Sequence, residues 1–311
     1  MKVICSKDGY TAGEPMGVGL GNFDGLHVGH MVLLRTLIGE SRLEGLSSMV
    51  YTFTKHPENI LRSKLFTPLL TTVTKKTELL SDTHLDYLFF DEFDENLSRM
   101  KPEAFVREIL VNRLNIRLAV AGFHYRFGYR GQGDAELLQE LGKKYGFKVI
   151  ILPPIKIDTE VVSSTSIRNC VTRGDMRKAF ILLGRHYSIT GRVGSGRKIG
   201  SKLGFPTANL TPENYLVMPS KGVYVTKTLL DGKVYGSVTN VGNNPTFNDL
   251  DITTIETHIL DFNSDIYDRN IEVFFLAKIR DEVKYGSKEE LTAQVGRDIS
   301  FAKEFLGINA Y

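Results

Sequence analysis

Apolar and polar positions change rhythm near the middle of the chain. Up to about residue 152, short apolar runs alternate with amphipathic stretches. The runs 16–23, 48–53, 85–90, 117–122 and 148–152 are rich in Val, Leu, Phe and Tyr. Several lack in-and-out alternation, which predicts strands covered on both faces. Between them, 31–39, 74–80, 102–114 and 135–145 carry apolar positions at helical spacing, and Pro102 suits a helix first turn. Strand–helix alternation of this kind predicts a doubly wound, parallel α/β sheet.

Pro153-Pro154 interrupts the pattern, and a helical stretch over 166–183 follows, with Gly184 placed to end it. From residue 187 the texture is β-rich: 187–193, 222–229, 233–240, 253–260 and 271–279 read as strands. Asp231-Gly232 between two apolar runs is a hairpin signal. This half predicts a small antiparallel β-barrel. A terminal helix over 289–306 closes it, with Ser287 and Glu290 as a capping box. The expected domains are 1–184 and 185–311.

Composition narrows the class. A chain of 311 residues suits two domains, and 42% apolar with 24% charged residues is ordinary for a globular protein. The net charge of +3, with cations spread along the chain, argues against a nucleic-acid partner and suits a small anionic substrate. Two distant cysteines, Cys5 and Cys170, make neither a disulfide framework nor a thiolate zinc site. No run approaches the roughly 20 apolar residues that span a bilayer. The cytoplasm is the expected location, with no membrane partner.

Chemistry concentrates in two blocks. The first, Gly21-Asn22-Phe23-Asp24-Gly25-Leu26-His27-Val28-Gly29-His30, follows an apolar strand and leads into a helix. An open α/β sheet binds ligands at such a place. The glycines admit phosphates to the backbone, and the helix N-terminus offers N–H groups and a positive dipole end. His27 and His30, three apart, can face the same way. The set suits nucleotidyl transfer: a phosphate attacks the α-phosphorus of ATP, pyrophosphate leaves, and catalysis is positioning plus charge stabilisation. By analogy with oxyanion donors, losing one imidazole costs ~3 kcal/mol of barrier. The plainer reading is two polar loop histidines beside a glycine-rich turn. The second block, 191–209, is dense in glycine and cation but is no Walker loop. Its amides with Arg197, Lys198 and Lys202 can surround nucleotide phosphates. Thr207 and Asn209 offer hard oxygens of the kind Mg²⁺ takes alongside phosphate. A solvated surface loop is the alternative.

The first block resembles the signature of the His-x-Gly-His nucleotidyltransferase superfamily, whose sheet is Rossmann-like. Thr52-Phe53-Thr54-Lys55-His56-Pro57 resembles the Thr-Phe-x-Pro-His-Pro of prokaryotic FAD synthetases, with Lys55 where proline is usual. Residues 122–128, then Gly131 and Gly133-Asp134, resemble their Gly-x-Asp/Asn-Phe-x-Phe-Gly loop, with His124 and Tyr125 as departures. Ser163-Ser164-Thr165-Ser166-Ile167-Arg168 matches their Ser-Ser-Thr-x-Ile-Arg. The resemblance implies ATP contacts from Gly21, Asn22, Phe23, Asp24, His27, His30, Ser164, Thr165 and Arg168, with His56 and His124 close by. A neutral imidazole at 124 can still accept a hydrogen bond; a protonated one cannot, and a histidine ordinarily titrates near ~6.5.

Gly204-Phe205-Pro206-Thr207-Ala208-Asn209 resembles the Pro-Thr-Ala-Asn signature of riboflavin kinases. Gly222-Val223-Tyr224, 240–247 and 256–262 match that family's later motifs in order. This implies ATP held by Gly196, Lys202, Thr207 and Asn209, with Mg²⁺ on the last two. Phe205, Asn240 and Thr246 would hold flavin. Glu256 would take the proton of the ribityl 5′-hydroxyl as it attacks the γ-phosphorus. By itself Glu256 reads as a solvent-facing strand carboxylate, and Phe205 as core. The chain as a whole resembles the prokaryotic bifunctional riboflavin kinase/FAD synthetase family, with riboflavin, FMN and ATP as substrates. The rivals are the same fold keeping one activity, the adenylyltransferase being the more doubtful, or a non-catalytic flavin-binding regulator.

Overall fold

The run Met16–Leu20 (β2) is buried along its whole length. That is expected of a strand with neighbours on both sides and helices on both faces. The computed structural model describes residues 1–55, 59, 67–194, 204–213, 215–245 and 251–308. They fall into two compact units, Met1–Ser164 and Thr165–Tyr311.

In the first unit β2 lies within a six-stranded sheet. Its neighbours are β1 (Lys2–Cys5), β3 (Ser47–Phe53), β4 (Tyr87–Asp91), β5 (Ile116–Gly122) and β6 (Lys148–Leu152). The order is β1-β4-β3-β2-β5-β6, and each pairing is parallel. The chain steps from β2 out through β3 and β4, then returns to the other side of β2 for β5. The carboxyl end of β2 is therefore a topological switch point, where open α/β sheets take ligands. Met16, Val18 and Leu20 point into one apolar layer with Tyr51, Phe89 and Phe105. Gly17 and Gly19 face the helix Val28–Leu43 (α1), and a Cβ on Gly17 would meet Ser41 Oγ at 2.1 Å. The absent side chains let α1 approach closely. A second helix, Val73–Ser81 (α2), starts at Thr72, whose hydroxyl accepts from Lys75 N. The expected strand over 16–23 stops at Leu20, because Phe23 adopts a left-handed φ of 48°. The expected helix over 102–114 is a turn at Pro102–Ala104 continued by a π-helical stretch, Phe105–Arg113. A two-stranded hairpin, β7 (Lys156–Ile157) and β8 (Glu160–Val161), follows β6.

The helical stretch expected over 166–183 is two helices, α3 (Ser164–Arg173) and α4 (Met176–Leu183). Gly174, at φ +79°, ends the first, and Asp175 caps the second through Lys178 N. In the second unit six strands close a barrel in the order β10-β13-β12-β11-β14-β9. They are β9 (Tyr187–Gly194), β10 (Ala208–Pro212), β11 (Gly222–Leu230), β12 (Lys233–Pro245), β13 (Asp251–Ile259) and β14 (Asn270–Arg280). Asp231 (φ 49°) and Gly232 (φ 78°) make the two-residue turn between β11 and β12 that the Asp-Gly pair predicts. The barrel interior is partly polar. Thr228, Ser237, Thr226, Thr239 and Thr257 form a continuous chain of buried hydroxyls at 2.8–2.9 Å. Outside, the helix Lys288–Leu306 (α5) lays Ala302 against Val223, Val225, Val238 and Leu260. Ser287 Oγ caps α5 by accepting from Glu290 N, and the Glu290 carboxylate reaches back to Gly286 N. Among the described residues no helix is long and apolar enough to cross a membrane.

Candidate functional site

The Gly21–His30 loop leaves the sheet at the switch point. His27 is the N-cap of α1, and its Nδ1 accepts from His30 N at 3.2 Å. An accepting Nδ1 carries no proton, so Nε2 is the donor nitrogen of that ring. The His27 and His30 rings stack, with centroids 3.6 Å apart and planes within 14°. The spacing of three therefore brings the two imidazoles face to face. Phe23 packs on His30 at 5.2 Å.

The loop's backbone is unusual. Phe23 (φ 48°), Gly25 (φ 80°) and Leu26 (φ 40°) are all left-handed. Two of these are not glycine, and such residues persist only where surroundings over-determine them. The surroundings are specific. The Asp24 carboxylate, 3% exposed, accepts from Leu70 N at 2.9 Å and Thr71 N at 3.3 Å. Thr71 Oγ1 accepts from Gly25 N at 3.2 Å. Ser164 Oγ donates to the Asp24 carbonyl at 2.8 Å. The Asn22 carbonyl accepts from Thr52 Oγ1 at 2.9 Å and from Lys76 Nζ at 2.7 Å. Lys76 is 7% exposed, and burial lowers its pKa to about 8 against the opposing pull of Asp24. The sequence reading passes over Lys76 and Thr71 and names Thr52 only as part of a motif, with no role of its own. The signal for Lys76 was its place on the buried stripe of α2, four residues before Leu80.

β5 pairs with β2, so the loop carrying His124 leaves from the adjacent strand. The His124 ring sits 3.6 Å from where a Gly122 Cβ would be, and edge-on to Phe123 at 4.8 Å. Partial desolvation lowers its pKa, which favours the neutral, hydrogen-bond-accepting imidazole. Tyr125 stacks on Phe127 at 5.6 Å. Ser164 is the last residue of the first unit, and Thr165 and Arg168 belong to the second.

On the barrel, Glu256 stands in register with Asn209 on one side and Asn240 on the other. Its strand neighbours Ile255 and Thr257 are fully buried, so Glu256 points outward. The three side chains form one row across β10, β13 and β12. Thr207 lies two residues before Asn209, in the run leading into β10. Phe205 packs edge-on against His258 at 5.9 Å, and His258 Nδ1 lies 2.8 Å from the Pro206 carbonyl, to which it donates. His56, Gly196, Lys202 and Thr246 lie outside the described residues.

Comparison with known proteins gives these two sites a lineage. Residues 11–166 match the FAD synthetase family and residues 183–306 the riboflavin kinase family. Curated relatives bear the name bifunctional riboflavin kinase/FMN adenylyltransferase. That of Buchnera aphidicola from Schizaphis graminum is 34% identical, covering 94% of each chain. That of Escherichia coli K12 is 35% identical over 93% of this chain and 92% of its own. That of Bacillus subtilis is 33% identical over 90% and 89%. A crystal structure from Streptococcus pneumoniae, described as a macrolide-efflux protein, superposes with a TM-score of 0.88 at 29% identity, covering 97% of this chain and 99% of its own. With both families matched in order along nearly its full length, the chain belongs to the bifunctional riboflavin kinase/FMN adenylyltransferase family.

Proposed function

We propose that residues 185–311 phosphorylate riboflavin with ATP to give FMN and ADP, and that residues 1–184 transfer the adenylyl group of a second ATP to FMN, giving FAD and pyrophosphate. The observation that carries this reading is the in-register row Asn209–Glu256–Asn240. It sets one carboxylate between two amides on a rigid surface, as a general base with oriented neighbours requires.

In the kinase step Glu256 accepts the proton of the ribityl 5′-hydroxyl while that oxygen bonds to the γ-phosphorus and the bond to ADP breaks. Asn240 and Phe205 orient the flavin, and Thr246 is assigned beside them by its motif. Gly196 and Lys202 are assigned to the ATP phosphates on the same ground. The hydroxyl of Thr207 and the amide oxygen of Asn209 are hard, neutral donors, which fit a Mg²⁺ ion that takes its remaining ligands from phosphate and water. That ion would neutralise charge on the transferring phosphoryl group.

In the adenylyl step an FMN phosphate oxygen bonds to the α-phosphorus of ATP and pyrophosphate departs. The Nε2 proton of His27 and the stacked His30 stabilise the charge that gathers on the phosphoryl oxygens. Gly21, Asn22, Phe23 and Asp24 shape the loop that receives the phosphates. Ser164, which donates to the Asp24 carbonyl, belongs to this loop's surroundings, and Thr165 and Arg168 are assigned to ATP by their motif alone, as a hydroxyl and a planar cation. His124, held toward its neutral form, accepts a hydrogen bond where relatives use Asp or Asn, and His56 is assigned nearby. The reactions belong in the cytoplasm, where ATP is made.

Chromatography of the products after incubation with riboflavin, ATP and Mg²⁺ tests the whole reading. FMN followed by FAD is expected. Tight flavin binding without ATP consumption would replace it with a regulator.

A further inference from the structure

The loop at the switch point rests on a buried cation that no motif contains. Lys76 projects from α2 beneath Asn22, and its ammonium donates to the Asn22 carbonyl at 2.7 Å and approaches Thr52 Oγ1 at 3.4 Å. Thr52 Oγ1 donates to the same carbonyl at 2.9 Å. One carbonyl thus has two donors, one of them charged, and both donor residues are buried. Burying a charge is costly, so a lysine in this place needs a return that a neutral residue would not give.

The next peptide group supplies that return. The Asn22–Phe23 peptide is trans, as are all those among the described residues, so the Phe23 N–H points opposite to the Asn22 carbonyl. Fixing the carbonyl against Lys76 and Thr52 fixes the Phe23 N–H on the other side of the loop. A charged donor on the carbonyl also polarises the peptide and strengthens its N–H as a donor. The left-handed φ of Phe23 follows directly on this pinned group. The rest of the loop is held by separate contacts: Asp24 on Leu70 N and Thr71 N, and Gly25 N on Thr71 Oγ1. Among the loop's backbone groups, Lys76 thus donates to the Asn22 carbonyl, while its charge also attracts the Asp24 carboxylate.

We propose that Lys76 is a positioning residue for adenylyl transfer: through the Asn22 carbonyl it aims and polarises the Phe23 N–H toward the ATP phosphates, with Thr52 as its neutral helper. This rests on the reading of the Gly21–His30 loop as the ATP loop of the first unit.

The test uses the full-length protein, in which riboflavin phosphorylation is an internal control. Steady-state FAD formation is measured against ATP and FMN separately for wild type, Lys76→Met, Thr52→Val and His27→Ala. Lys76→Met is expected to raise KM for ATP about tenfold, the scale of one charge-assisted hydrogen bond. KM for FMN and riboflavin phosphorylation stay at wild-type values. Thr52→Val, which keeps the shape of the side chain, raises KM for ATP about threefold, the scale of one neutral hydrogen bond. An ATP KM within twofold of wild type in Lys76→Met overturns the proposal. If Lys76→Met does not fold, Thr52→Val decides, and an unchanged ATP KM in it is equally fatal. His27→Ala separates the two levels: if it still makes FAD at the wild-type rate, the ATP-loop reading itself has failed.

Discussion

In the proposed function the two units solve the same problem, holding a triphosphate beside an acceptor, by opposite means. The first unit uses a loop. Its backbone turns left-handed at Phe23, Gly25 and Leu26, and it keeps that shape because its own Asp24 is anchored on Leu70 N while Thr52, Thr71 and Lys76 bond its backbone. The second unit uses register. Glu256, Asn209 and Asn240 lie side by side because three antiparallel strands pair at those residues, on a barrel with a hydroxyl chain tied across its interior. In the loop, geometry comes from many individually modest polar contacts. On the barrel, it comes from the ladder, and the chemistry is added by single side chains.

This contrast makes the two sites separable. The largest effect is expected at the barrel: Glu256→Gln lowers riboflavin phosphorylation by about 10²–10⁴-fold, the usual worth of a general base, while FAD formation from supplied FMN is spared. Next, His27→Ala lowers FAD formation by about 10²–10³-fold and leaves the kinase alone. Equal damage to both activities by either substitution, in folded protein, would dissolve the two-site picture. Thr239→Val should act on stability, because it breaks the hydroxyl chain between Thr226 and Thr257. A loss of about 1–3 kcal/mol in urea unfolding is expected, with kinase turnover of the folded protein unchanged.

A further effect is in pH. The folded pKa of Lys76, about 8, lies below its ordinary 10.5, so between those values the unfolded chain binds more protons than the folded one. Stability contributed at this site therefore rises with pH across that window. Wild type should gain on Lys76→Met between pH 8 and 10, followed by chemical unfolding; a constant gap would mean that the lysine is not titrating from a buried site.

Much of this architecture could be read from residue order. Buried runs without alternation announced the parallel sheet, and Asp231-Gly232 announced a hairpin whose dihedral angles agree. Short elements escaped. β1 is four residues, three of them exposed, with no apolar run to mark it. β10 is hidden inside a motif, and its residue Asn209 reads as loop chemistry rather than as the outward face of a strand. The split between α3 and α4 turns on Gly174, whose positive φ is visible only in three dimensions. Lys76 was obscured by Lys75. Adjacent lysines suggest a solvated face, yet Lys75 pairs with Glu78 while Lys76 turns inward. The motif residues stand out in the sequence because they are rare combinations. The residues that hold the motif in shape are common ones, and their meaning depends on partners up to 54 positions away.

The placement of Glu256 between two inward neighbours limits how this enzyme can change. One strand, β13, carries packing residues and the proposed base on alternate positions. Inserting or deleting a single residue upstream within it would exchange the two faces, sending the carboxylate into the hydroxyl-lined interior and Ile255 or Thr257 out to the substrate. Length variation in that strand is thus permitted only in twos.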